Sequence, residues 1–280
     1  MSDFIHVICE NYVPTSFGLA GEHGLSALVS VGGKKVLLDT GQGIGLINNA
    51  KMMGIDLNGM DALALSHAHK DHTGGLMDFL DVNGRVDVVA HPDVFVPRAV
   101  KRQIGGKVAK IPIGLPWQKD DLESAGAQFK LSAGPVEIVP GVWFSGEVPW
   151  KNDFEKENPS LFIVRDEELE IDPFTDDAAL FIDTPKGITV LAGCAHRGIV
   201  NTMEHAREVL GDKPFHTVIG GIHLIDADAD RVEKTIEAFG SFGVETVSTG
   251  HCTGLPASFE IARRLGDAFD FMAVGKRYEI

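Results

Sequence analysis

With 280 residues, 44% hydrophobic and 23% charged, the chain has ordinary globular composition and enough length for one large domain or two small ones. A formal charge of -15 argues against nucleic acid or an anionic membrane as partner, since either wants a basic face. The densest basic stretch, AVKRQIGGKVAK at 99–110, reads as a solvated face.

Taken in chain order, MSDFIHVICENYV carries an early acid and no basic segment, so it does not read as a secretory signal. No apolar run reaches the ~18 residues expected of a membrane span. SALVSVGGKKVLLDTG (26–41) predicts a hairpin around a Gly-Gly turn, GIGLINNAKMMGI (43–55) a helix, and Ala62–Leu65 a buried strand. RVDVVAHP (85–92) predicts a further strand stopped by proline. Residues 97–175, rich in Gly and Pro breaks and acidic stretches, read as a middle segment or lid.

The second half repeats the order: strand at 187–198, amphipathic helix at 198–210, strand at 216–224. A shift of 155 positions pairs Val36 with Leu191, Asp39 with Cys194, Gly43 and Ile44 with Gly198 and Ile199, and Ala68 with His223. Two βαβ-like halves in one domain, 1–280, are therefore expected, with a sheet-on-sheet core flanked by helices. Three cysteines, Cys9, Cys194 and Cys252, make no disulfide framework and suit a reducing cytoplasm. Oligomeric state is not legible.

The chemistry concentrates in LALSHAHKDHTGGL (63–76). His67, His69, Asp71 and His72 follow a buried strand, and the glycines behind them let the chain turn closely. Neutral imidazoles with a carboxylate are ligands for zinc, iron or manganese, and this density suits two divalent cations. Further ligands must come from distant sequence. His251 in TVSTGHCTG, His196 in TVLAGCAHRG and His223 in VIGGIHL each close a strand in a Gly-rich turn.

HAHKDH, with VLLDTG before it and STGHCTG late in the chain, resembles the signature of the metallo-β-lactamase superfamily over nearly the whole length. EHGLSALV, FSGEVPW, DDAAL, AGCAHRGIVN and GGIHL are similar to a subgroup of metal-dependent hydrolases that includes the archaeal dihydropterin-ribofuranosylaminobenzene 5'-phosphate synthase. The resemblance implies an α/β, four-layer αββα sandwich of two mixed sheets flanked by helices. It implies that His67 and His69 hold one metal and that Asp71, His72 and His251 hold another. Where the family has a bridging aspartate this chain has Cys194, and the missing coordination falls to His196, with Cys194 or Asp177 as further candidates. Only Asp176 and Asp177 stand near the position of the usual third histidine.

The leading reading is hydrolysis of an ester, lactone or phosphoester-type small molecule by a metal-bound hydroxide. Asp71 would orient the water or take its proton, and His223 would serve the leaving group. The alternatives are transfer of a pterin-methyl group from its diphosphate to an aminobenzene ribosyl phosphate, or a non-enzymatic metal-dependent sensor. A flavin-linked di-iron oxidoreductase has no room for its partner domain. His23 and His91 read as turn or structural residues, and strand alternation would turn Cys252 away from the metals. Arg197 is open to an anionic substrate or a surface salt bridge. Trp117, Trp143 and Trp150 read as packing, and no phosphate loop or serine elbow is present.

Overall fold

The computed structural model describes residues 2–14 and 18–280. Its first sheet has seven strands, in the order Arg277–Glu279, Phe4–Cys9, Ser26–Val31, Lys34–Leu38, Ala62–Ala64, Val86–Ala90 and Ala127–Leu131. The second, also of seven, runs Phe269–Phe271, Thr246–Thr249, Phe215–Gly220, Gly187–Ala192, Ala179–Thr184, Val142–Phe144 and Val136–Val139. Both are mixed: antiparallel hairpins at one side, parallel strands with helical crossovers at the other.

Strand alternation decides the layering. Val29, Val36 and Leu38 of the first sheet meet Leu180, Leu191 and Ile219 of the second in one buried cluster. Their chain neighbours point the other way. Leu28, Leu37 and Leu63 pack under the helices Leu46–Met53 and Leu76–Asn83. Phe181, Val190 and Val218 pack under Ile199–Leu210, Ala229–Ser241 and Leu255–Leu265. Apolar residues on both faces of each sheet are what a strand covered from two sides requires. The result is the four-layer αββα sandwich.

The hairpin at 26–38 turns through Gly32 and Gly33, whose φ values of 57° and 81° form the paired left-handed turn that suits strand twist. The helix expected over 43–55 is Leu46–Met53, stopped by Gly54 in the left-handed conformation. The halves correspond as the 155-residue shift requires: strand Lys34–Leu38, helix and parallel strand Ala62–Ala64 match strand Gly187–Ala192, helix Ile199–Leu210 and parallel strand Phe215–Gly220.

Residues 97–175 divide among three places. Ala127–Leu131 edges the first sheet, and Val136–Val139 and Val142–Phe144 edge the second. Arg98–Ile104, Lys107–Pro112, Leu161–Arg165 and Glu168–Ile171 build a separate four-stranded antiparallel sheet, which Arg102, Pro112 and Leu161 bring to the wall of the site cavity. Among the described residues no helix is long and apolar enough to cross a membrane, and all three cysteines are free thiols.

Candidate metal centre

Parallel strands of both sheets end at one edge, so the loops that follow them converge there. Lys34–Leu38 delivers Asp39; Ala62–Ala64 delivers the segment from Ser66 to His72; Gly187–Ala192 delivers Cys194 and His196. Phe215–Gly220 and Thr246–Thr249 lead to His223 and His251. Open α/β sheets place their ligands at such carboxyl ends.

Three imidazoles form one group: the donor nitrogens of His67, His69 and His196 lie within 4.8 Å of one another. His67 Nε2 and His69 Nδ1 are 3.0 Å apart, and Ser66 Oγ, 2.9 Å from His67 Nδ1, fixes that ring from behind. The strand itself ends at Ala64, so a loop rather than strand alternation brings these two rings together. Phe174 stacks on His196, centroids 4.1 Å apart and planes inclined by 10°, which orients the ring without occupying its nitrogens.

The second group lies beside it. His72 Nε2 is 3.1 Å from His251 Nε2, and Asp71 Oδ2 is 3.7 Å from the first and 3.3 Å from the second. Cys194 Sγ is 3.2 Å from His72 Nε2. Asp39 Oδ2 lies 2.7 Å from His72 Nδ1, and Asn11 Oδ1 lies 3.0 Å from His251 Nδ1. Each ring therefore turns its other nitrogen to the centre, the usual arrangement behind a metal-binding histidine. His251 reaches it from a left-handed backbone, φ 50°, with its N–H donated to Glu10 Oε1 at 2.5 Å.

Electrostatics fit the donors to cations. Burial and the neighbouring imidazoles hold His67 and His196 well below the ordinary histidine range. Burial, against the pull of Asp71, takes His69 down to about 3. These rings are neutral, as a ligand must be. Burial also disfavours charge on His72, yet Asp39 and Asp71 outweigh it and raise that ring to about 9, so positive charge is favoured there. Burial opposes ionisation of Asp71, but His72 and His251 hold its carboxyl well below the usual carboxylate range. His69 Nε2 and both nitrogens of His196 are buried with no hydrogen-bond partner. Unpaired buried polar atoms are costly, and a divalent cation would satisfy them.

Several residues lie where the sequence did not put them. Asp177 joins none of the donor groups; its Oδ2 accepts the Arg197 N–H at 2.8 Å, bracing the loop that carries His196. Asp176 does the same for the first loop, accepting the Ala68 N–H at 2.9 Å while pairing with Arg98 at 2.6 Å. Cys252 does not point away: it sits in the 3-10 turn His251–Thr253, and its sulfur lies within 4.8 Å of Cys194 and His223 donors. His23 is no bystander either, its Nε2 being 3.3 Å from Asp71 Oδ2.

Arg197 is buried, donating to the Pro173 and Val148 carbonyls and pairing with Glu147 at 3.0 Å, which withdraws it from substrate. His91 caps its own turn, accepting from the Asp93 N–H at 3.1 Å. Asp39 and Ser66 support the centre without having been singled out; the shift that pairs Asp39 with Cys194 was the available signal.

Above the donors opens a cavity of about 1110 Å³. His69, Asp71, Cys194, His196 and His223 face it, with Ile113, Phe154, Lys156 and Ile225 among its walls.

The chain belongs to the metallo-β-lactamase superfamily, whose family description matches residues 20–251. It is 32% identical, over 97% of its length and 95% of the relative's, to the 7,8-dihydropterin-6-methyl-4-(β-D-ribofuranosyl)-aminobenzene-5'-phosphate synthase of Methanocaldococcus jannaschii. Ribonuclease Z of Clostridium perfringens is 29% identical over 115 residues, 41% of this chain and 35% of that one. Among solved structures, Tm1679, a metal-dependent hydrolase of the β-lactamase superfamily, superimposes with a TM-score of 0.83 at 28% identity, covering 99% of both chains.

Proposed function

We propose that this chain is a metal-dependent hydrolase acting on an ester, lactone or phosphoester-type small molecule. The observation that carries this reading is the meeting of His196 and His251 with His67, His69, Asp71 and His72, residues drawn from opposite halves of the chain into adjoining donor groups. Two divalent cations in those donors, zinc by the mix of imidazole and thiol with iron or manganese as alternatives, would lower the pKa of water toward ~7 and polarise the scissile group.

The chain's own residues supply the rest. Asp71, its side chain 18% exposed on the cavity side, stays ionised and can orient a water or take its proton. His223 faces the cavity with both nitrogens unpartnered, placed to hydrogen-bond a leaving group. The stacked Phe174 and the buried imidazoles keep bulk water from the floor of the site.

Elemental analysis of the purified protein, with a panel of esters, lactones and phosphodiesters, tests the proposal. Bound metal and turnover on one class support it; metal with no turnover on any class favours a sensor. The 32% identical synthase, matched over nearly its full length, favours a second reading: transfer of a pterin-methyl group from its diphosphate to an aminobenzene ribosyl phosphate. Product formation from that substrate pair, without hydrolysis of the panel, would decide for the transferase.

A further inference from the structure

The cavity holds a further set of unsatisfied groups beside the imidazole centre, where the centroid of the His223 ring lies 4.2 Å from that of His196. Arg231, in the first turn of Ala229–Ser241, lines it together with His223. Two other arginines are buried outright, and both are engaged. Arg98 pairs with Asp172 and Asp176 and donates to two carbonyls. Arg197 is bound as described above. Arg231 differs: only its backbone N–H is used, donated to Asp228 Oδ1 at 2.8 Å. Among the described residues its guanidinium has no ion pair and no hydrogen bond, and Nε is buried without a partner.

Glu155 is the natural structural partner, but its oxygens are taken by the Val200 and Asn201 N–H groups, at 3.0 and 2.8 Å, and by Asn152. Both nitrogens of His223 are likewise buried and unpaired. Lys70, Arg102 and Lys156 line the same cavity and, among the described residues, also lack an ion pair. Acids line it too: Asp71, Asp153, Glu157, Asp226, Asp228 and Asp230 stand on the walls, and Lys234 is paired with Asp230 at 2.7 Å. The cavity thus carries charges of both signs, and among its described cations Arg231 is the one with a buried side-chain donor left without a partner.

A guanidinium presents a planar fork of donors that suits an oxyanion, and leaving it unpaired in a half-buried wall is costly. We infer that Arg231 and His223 form an oxyanion subsite that takes the phosphate of a phosphorylated small molecule, holding it while the remainder of the substrate lies over the imidazole centre. This rests on the cavity being the substrate's, as proposed above, but binding at Arg231 can be measured without turnover.

The probe is ribose 5-phosphate, titrated calorimetrically into the wild-type protein as purified and after metal removal with a chelator, and into Arg231→Met and Arg231→Lys, with ribose and ribonate as neutral and carboxylate controls. Arg231→Met should weaken ribose 5-phosphate binding by about tenfold to a hundredfold, the size of a lost charge-assisted hydrogen bond. Arg231→Lys should recover part of it, and ribose should not bind measurably in any variant. Wild-type protein stripped of metal should bind within about threefold of the protein as purified; absence of any bound metal before stripping would sink the hydrolase reading and leave this one standing.

Unchanged affinity in Arg231→Met, or loss confined to the metal-stripped protein, would overturn the subsite by placing the phosphate on the metals. Ribonate binding as tight as ribose 5-phosphate would overturn the phosphate assignment. If Arg231→Met fails to fold by circular dichroism, His223→Gln carries the same expectation of weakened binding.

Discussion

Asp39 Oδ2 lies 2.7 Å from His72 Nδ1, while Cys194 Sγ, from the equivalent strand end of the other half, lies 3.2 Å from Nε2 of the same ring. One imidazole is thus gripped from both sheets, by a carboxylate that fixes its orientation and a thiol that shares its open side. Asp39 also accepts from the Ser66 N–H at 2.7 Å and Ser66 Oγ at 2.6 Å, so it orders both loop and ligand. Asp39→Asn should therefore lower metal affinity about tenfold to a hundredfold, read by competition with a chromophoric chelator. Wild-type affinity in that variant would show that the carboxylate is dispensable.

In the proposed hydrolysis Asp71 acts on the reacting water and completes the second donor group. Asp71→Ala should reduce turnover of a panel substrate at least about a hundredfold, with the circular dichroism spectrum preserved. Activity near wild type would remove it from the mechanism.

Arg98 is wholly enclosed, with Asp172 Oδ2 at 2.9 Å and Asp176 Oδ1 at 2.6 Å. Arg98→Met leaves two buried carboxylates uncompensated and should cost about 3–5 kcal/mol in urea unfolding. Because Asp176 also holds the Ala68 N–H between His67 and His69, bound metal should fall in parallel. Destabilisation with full metal content would separate the ion pair from the site.

Gly193 lies directly against the support of the centre. A Cβ there would collide with Ser66 Oγ and stand 3.1 Å from Asp39 Oδ2. Gly193→Ala should cost about 1–3 kcal/mol and reduce metal occupancy, measured by thermal melting and elemental analysis. A variant as stable and as loaded as wild type would mean that the loop yields freely.

Removing metal should lower the melting temperature, since a cation that binds only the folded chain stabilises it by mass action. Added zinc should restore the melt in wild type and fail to do so when His67 and His196 are both alanine.

The local alphabet was readable along the chain. Apolar runs and Gly turns marked the hairpin at 26–38 and the parallel strands because backbone sterics and side-chain alternation act between near neighbours. The crowding of His67, His69, Asp71 and His72 told of metal for the same reason: four donors within six positions share one turn wherever it folds. The shift that aligned Asp39 with Cys194 disclosed the two matching halves.

What needed the folded molecule was every contact between loops far apart in sequence. Cys252 faces Cys194 and His223 because a 3-10 turn replaces the strand that alternation assumed. Asp176 and Asp177 each accept a backbone N–H, from Ala68 and Arg197, and so brace the two loops that carry the imidazoles. The order of residues already settles which donors exist and which segments carry them. Only the packing of one sheet on the other decided which nitrogens, oxygens and sulfurs share a centre, because that choice depends on how strand ends from the two halves align across the core.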